Sequence, residues 1–200
     1  MKLKVPFYKQ TTDTNCGPVA LRMVLAYFGD DLGIDILETR TEIKEGKGVV
    51  TIQIATAAAL SGHRTDFYSK HVSFNEDNLK HEFYKKYTDL VHKSKKLIDD
   101  AQKAGVIIYE RTLTLDKLLK NIGGSSIPII LLDWNVVSGK KEKGYQGHFV
   151  PIVGHDKENV YVHNHGFKNP EAFMPIKRKT FDKARKADGT DEDIIIIHKK

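Results

Sequence analysis

The feature that most limits how this chain can fold is a short apolar run near its N-terminus. Residues 19–28 read Val-Ala-Leu-Arg-Met-Val-Leu-Ala-Tyr-Phe, broken only by Arg22. A segment of helical length that is apolar all round predicts a helix buried on every side. Gly29 and the two aspartates after it end the helix. Such a helix must be enclosed by other elements. Two hundred residues suffice for one substantial core, or for two small lobes around a shared one.

The remaining elements follow from periodicity. Helices are predicted over residues 35–41 and 51–60, the second rich in alanine and ended by Gly62. In residues 75–104, Leu79, Phe83, Tyr87, Leu90, Leu97, Ile98 and Ala101 recur at spacings of three, four or seven. That pattern predicts one amphipathic helix, or two with a break, covering a flank of the core. From Gly105 the period becomes that of strands: residues 106–109, 127–132, 148–153, 160–164 and 194–197, with a helix near 115–121. Helices first and mostly antiparallel strands second is an α+β arrangement, a helical half at 1–104 and a sheet half at 105–200. Pro151 inside a strand pattern predicts an edge strand or a bulge.

Composition removes several functional classes. The chain is 40% hydrophobic and 29% charged with only six prolines, which argues against disorder and fibrous structure. No apolar run is long enough to cross a bilayer, and the first residues lack the apolar stretch of a signal peptide. No membrane partner is expected. A lone cysteine excludes a disulfide within the chain and favours a reducing compartment, so a cytoplasmic location is expected. The net charge is +6, but the densest basic stretch, residues 80–103, also carries Glu82, Asp89, Asp99 and Asp100. It reads as a solvated helix face, not a phosphate track, and no nucleic-acid partner is expected. There is no zinc spacing, phosphate loop or dinucleotide fingerprint, so neither cofactor nor metal is expected. Oligomeric state is left open.

The one cysteine stands where a polar loop, Gln10 to Asn15, enters the buried helix: Asn15-Cys16-Gly17-Pro18. Free N–H groups and the dipole at a helix start favour an anion, which lowers a thiol's pKa toward the reactive thiolate. Pro18 suits a first helical turn, and Gly17 leaves room for another chain to approach the sulfur. A buried packing cysteine is the plain alternative; it belongs inside the apolar run, however, and not at its mouth. Gln10 can supply an amide donor which, with the Cys16 N–H, would hold the oxyanion of a tetrahedral intermediate.

A cysteine nucleophile needs a base, and that base needs an orienter. Of nine histidines, His148, His155, His163 and His165 lie in or beside one hairpin. Side chains alternate along strands, so His148, Val150 and Ile152 share one face and Val160, Val162 and Asn164 another. A three-residue connection at 155–157 pairs Ile152 with Val160, Val150 with Val162 and His148 with Asn164. Directly opposed residues have Cβ atoms roughly 4.5–5.5 Å apart, placing the Asn164 amide within reach of the imidazole. Packing of that apolar stripe on the helix behind Cys16 would deliver His148 to the helix start. His155 falls in the turn, and His163 and His165 point to the other face.

These residues resemble the papain-like cysteine peptidases. Gln10 lies six residues before Cys16, and Asn164 sixteen after His148. The Cys-Gly-Pro form is similar to that of the bacteriocin-processing peptidases that cut after double-glycine leaders, and most similar to their stand-alone relatives. The likeness covers residues 5–29 and 145–166. It implies a single papain-like peptidase domain over 1–200, with a charged helical insertion at 75–104 and a central helix packed on a mostly antiparallel sheet. Carried over, Cys16 is the nucleophile, His148 the general base and acid, Gln10 the oxyanion donor and Asn164 the orienter of His148. The substrate implied is a peptide or small amide. The sequence departs from the bacteriocin-processing pattern at Asn164-His165-Gly166, where Asp-Pro is usual, and there it is closer to papain's asparagine. A neutral orienter makes activity depend more heavily on a preformed thiolate–imidazolium pair.

Two alternatives remain on this scaffold. One is a transferase that hands the acyl or γ-glutamyl group to an amine, as in the phytochelatin synthase-like enzymes, which share the Cys-Gly-Pro helix start. The other is an inactive peptide-binding module. Trp134, Tyr145 and Gln146 are candidates to line a cleft, and the polar loop 138–147 is either a lid or a solvated connection.

Overall fold

A computed structural model describes residues 1–88, 94–140 and 144–200. The apolar run forms helix α1 (Cys16–Tyr27), in which Gly17 to Leu21 and Met23 to Leu25 are all buried. Arg22 escapes the core by crossing the Tyr8 ring at 4.2 Å and pairing with Asp31 at 3.3 Å. Gly29 takes a positive φ of 100° just beyond the helix, a conformation that suits glycine. Helices α2 (Ile34–Arg40) and α3 (Thr51–Leu60) follow within a residue or so of expectation.

The strands build one seven-stranded sheet among the described residues, in the order β2-β1-β7-β3-β4-β5-β6. They are β1 (Thr65–Ser69), β2 (Ile107–Glu110), β3 (Ser126–Asp133), β4 (Gly147–His155), β5 (Asn159–Asn164), β6 (Glu171–Lys177) and β7 (Ile194–His198). Only the β1–β2 pair is parallel. Sequence periodicity missed β1 and β6. β1 lies in the nominally helical half yet joins the sheet between β2 and β7, and all five of its residues are buried. With both faces covered it lacks the polar alternation by which strands are read. In β6 most residues are exposed or half-buried, as befits an edge strand.

The stretch 75–104 is not one long helix. It is a 3₁₀ turn (Glu76–Lys80), a short helix α4 (Glu82–Tyr87) and helix α5 (Ser94–Lys103), with Leu90 outside the described residues. Ala101, Leu97 and Ile98 of α5 meet the core, as the spacing predicts. Helices α6 (Leu115–Leu119), α7 (Trp134–Val137) and α8 (Arg178–Arg185) complete the chain; α7 and α8 were not foreseen.

Both faces of the sheet are packed. On one side α1, α3 and α5 enclose Ile129, Leu131, Phe149, Val153, Ile195 and Ile197. On the other, Ile130, Leu132, Val150, Ile152, Val160 and Val162 meet Leu118 and Leu119 of α6 and Phe181 and Ala184 of α8. This corrects the expected packing of the hairpin: its even-numbered stripe faces α6 and α8, whereas α1 lies on the odd-numbered side. The unforeseen α8 is what receives the stripe. Pro151 lies in an internal strand opposite Ile129, not at an edge, and the irregularity in β4 falls beside it, between Ile152 and Gly154.

The hairpin register also differs: at the turn Gly154 pairs with Tyr161, three residues from the expected partner, and the irregularity takes back one. Ile152 pairs with Val162, not Val160, a slip of two residues that preserves the faces.

Candidate active site

Cys16 opens α1 as predicted, but its neighbours differ from expectation. Gly17 does not clear a path to the sulfur. A Cβ there would come within 2.6 Å of Val49 Cγ2 and 2.7 Å of Ile54 Cδ1. The glycine therefore lets the segment before α3, and α3 itself, press against the start of α1. Cys16 is half-buried, and desolvation pushes its thiol pKa up, outweighing the backbone N–H groups of Phe149, Gly17 and Cys16 that favour the thiolate. The expected lowering by the helix start is thus present as hydrogen bonding but is overridden by desolvation. The N–H of Phe149 fixes where the sulfur lies: next to the backbone of His148, at the open end of β4.

His148 is buried. Burial drives its pKa well below the ordinary histidine value; the nearby His165 adds to this, and a hydrogen bond from the ring to the Asn164 side chain opposes it. The ring packs edge-on against Trp134 at 4.8 Å and lies 5.1 Å from the His165 ring. Its Nε2 is buried without a hydrogen-bond partner. Such an atom loses free energy unless something else supplies the bond. Desolvation thus favours the neutral form of both thiol and imidazole, against the expected preformed ion pair.

Asn164 and Gln10 converge on the same spot. A Cβ on Gly166 would stand 3.5 Å from Gln10 Oε1, 3.6 Å from Asn164 Oδ1 and 3.7 Å from His148 Cε1. The Asn164 amide is itself fixed, its Nδ2 donating to the Asn169 carbonyl at 2.9 Å and its Oδ1 accepting from Gly166 N at 3.4 Å. Gln10 Nε2 donates to Thr12 O at 3.1 Å, and the Gln10 backbone N–H donates to the His165 carbonyl at 2.9 Å. The loop between Gln10 and the helix is stapled by buried Asn15, whose Nδ2 donates to Thr11 Oγ1 and Glu38 Oε1, each at 2.8 Å.

Gln10, Cys16, His148 and Asn164 all line one cavity of about 690 Å³. Trp134, Tyr145 and Gln146 line it as expected, and so do Ser138 and Lys140 of the polar loop, whose residues 141–143 lie outside the described residues. Sequence reasoning missed His165. It follows the end of β5, and although expected on the face opposite His148 its buried ring lies beside that of His148, with Nε2 2.9 Å from the Cys16 carbonyl and Nδ1 3.1 Å from the His163 carbonyl. His163 is likewise spoken for, between Val5 O and Phe173 N, each at 3.0 Å. His155 sits at the end of β4, where the N-terminal ammonium donates to its carbonyl. Among the described residues no group of three or more His, Cys, Asp or Glu is arranged to hold a metal ion, and no helix is long and apolar enough to cross a membrane.

Known proteins resemble the chain in two different ways. By sequence, residues 5–197 match the family described as guanylylate cyclase. A curated relative, Guanylyl cyclase 1 of Arabidopsis thaliana, is 26% identical over 211 residues, covering 98% of this chain and 76% of that protein. By structure, the chain is similar to a double glycine motif protease solved with its leader peptide, at TM-score 0.55 and 16% identity, covering 100% of this chain and 94% of that one. It is equally similar, at TM-score 0.55, to a C39-like peptidase from Bacillus anthracis, with 17% identity and coverage of 100% and 98%. The peptidase domain of Streptococcus ComA also aligns at TM-score 0.55, with 12% identity and coverage of 98% and 99%. These likenesses establish the α+β papain-like fold expected from the sequence.

Proposed function

Because the chain belongs to the guanylylate cyclase family and carries it on a papain-like peptidase fold, we propose that its chemistry is cysteine-based acyl transfer. The reaction is cleavage of a peptide or small amide bond. The observation that carries this reading is convergence: the lone cysteine, His148, Asn164 and Gln10 share the wall of one cavity. A packing cysteine would not need an unpartnered buried imidazole nitrogen and two fixed amides beside it.

A neutral resting pair dictates the order of events. His148, neutral at working pH, takes the Cys16 proton as the sulfur attacks the amide carbon, in the manner of a general base. Charge develops on the carbonyl oxygen, where the Cys16 N–H and the second N–H of Gln10 Nε2 can stabilise it. The imidazolium then returns its proton to the leaving amine, leaving a thioester on Cys16. A water or an amine attacks that thioester, His148 again taking the proton, and the thiol is restored. Asn164 holds the ring in place throughout.

The test is whether Cys16 becomes acylated. With p-nitrophenyl acetate as generic donor, intact mass spectrometry of the wild-type chain should show an acetyl adduct that maps to Cys16. Cys16→Ala should carry none, and His148→Ala should accumulate it far more slowly. Adding an amine acceptor separates hydrolysis from transfer by the product formed. A wild-type chain that forms no adduct while converting GTP, equally well after Cys16→Ala, would overturn the proposal in favour of the activity that the relative's name gives.

A further inference from the structure

A second part of the cavity wall has a chemistry that the acyl-transfer machinery does not use. Asp191 and Asp193, in the segment before β7, line the cavity together with Tyr84 of α4 and Tyr145 before β4. This wall is close to the nucleophile. Val49 lies against Gly17, and Thr51, two residues on, donates a hydrogen bond to Asp193 Oδ2. Two extended residues span about 7 Å.

The two carboxyls differ in how they are satisfied. Asp191 accepts from Asn75 Nδ2 at 3.3 Å and from Asn78 Nδ2 at 2.6 Å. Asp193 Oδ1, in contrast, is buried with no partner, and the neighbouring Ser69 hydroxyl gives its proton to the His71 carbonyl at 2.8 Å. Among the described residues no Lys, Arg or His forms an ion pair with either. Aromatic rings stand beside them: Tyr84 and Tyr145 stack at 5.4 Å and 7°, with Phe83 edge-on to Tyr145 at 5.2 Å. Carboxyls without a cation, next to aromatic rings in a cavity, make a receptor for a positive organic group.

We propose that this wall is a subsite for an organic cation, a guanidinium or ammonium group on the molecule whose acyl group reaches Cys16. The link to an acyl donor rests on the acyl-transfer reading above; the cation site does not. Burial, with Asp191 adding to it, raises the Asp193 carboxyl to about 7. A bound cation stabilises the carboxylate and releases its proton. The groups facing Asp193 are Asp191 from its own segment, Thr51 from α3, Ser69 from β1, Tyr84 from α4 and Tyr145. Both phenols are held protonated by burial; His71 lines the same cavity and His81 packs on the Tyr145 ring, so Asp193→Asn is the control that assigns the titration.

Benzamidine and its neutral isostere benzamide test the site by calorimetry on the full-length Cys16→Ala chain, which has no nucleophile. Benzamidine should bind at least tenfold more tightly than benzamide, and Asp193→Asn should abolish that preference. In the Cys16→Ala chain the benzamidine affinity should fall as pH drops below 7, approaching tenfold per unit as the proton competes. That pH titration decides the matter if the Asp193→Asn chain does not fold. Equal affinities for the two probes, a preference that survives Asp193→Asn, or a pH-independent affinity would each overturn the proposal. So would GTP binding that displaces benzamidine and is lost on Asp193→Asn, because a guanine edge would then be the natural occupant. Cation binding without any acylation of wild-type Cys16 would overturn the acyl-transfer reading and leave the subsite standing.

Discussion

The buried ring of His165 lies 2.9 Å, through Nε2, from the backbone carbonyl of Cys16. Its other nitrogen faces the His163 carbonyl, so one imidazole joins the first residue of α1 to the end of β5. The same ring stands 5.1 Å from His148, on whose pKa it acts. His165 therefore ties Cys16 and His148 into one arrangement.

Removing that tie should loosen the site and the fold together. His165→Ala leaves two buried carbonyls short of a donor or a contact, a loss of about 1–3 kcal/mol for an unsatisfied group. Chemical denaturation measures this. The midpoint should fall, and acylation of Cys16 should slow more than the stability loss explains. His165→Asn, which keeps a donor, should recover part of both.

The resting pair predicts an unusual pH profile. Burial raises the Cys16 pKa and lowers that of His148. The thiolate therefore appears only above the ordinary thiol range, and the imidazole is neutral from below its ordinary value upward. Iodoacetamide alkylation of Cys16 should keep rising beyond pH 9 and change little in His148→Ala. Acyl turnover should instead show a broad plateau and drop by about 10²–10⁴ when His148 is replaced, the usual worth of a general base. A fast alkylation phase at neutral pH that vanishes in His148→Ala would restore the ion-pair picture.

Asp193 should make the protein less stable as pH rises from about 4 to about 7. Its folded pKa, about 7, is raised above an unfolded value near 3.8. Between those values the folded chain binds the extra proton. Stability from this group is thus full below the unfolded pKa and is lost as pH rises through the folded one. Thermal melts of wild type and Asp193→Asn should agree near pH 4, and at pH 8 the variant should melt higher.

Gly17 is held by packing and not by chemistry. Gly17→Ala places a methyl within 2.6 Å of Val49 and 2.7 Å of Ile54, both beneath the cysteine's helix. Overpacking of this kind costs about 1–3 kcal/mol. A lower melting temperature is expected, together with slower acylation, because Cys16 is the adjacent residue. A melt unchanged from wild type would mean that α3 yields to the added methyl.

Much of the site was legible because its signals are local. Cys16-Gly17-Pro18 opening an apolar run is a chain-level pattern, and so is the alternation that separates His148 from Phe149 and Asn164 from His163. The face assignments held because a slip of two residues leaves every side chain where it was. The pairing partner did not hold. The turn shifts the pairing by three residues and the irregularity beside Pro151 takes back one, and alternation along the strands reveals neither. The packing partner of the stripe was also missed, since α8 is a polar helix touching the core mainly through Phe181, Ala184 and the buried Arg185.

By itself the sequence determined a buried helix, the cysteine at its mouth, an α+β chain and a histidine and asparagine on adjoining strands, because hydrophobic period and chain proximity decide all of these. Tertiary structure alone decided which charges burial disfavours, the Cys16 tie to His165 and the carboxyl wall at Asp191 and Asp193. Each depends on desolvation, or on contacts between residues distant in the chain. Burial energies of that kind are fixed by what surrounds a group in space, and residue order along the chain does not encode them singly.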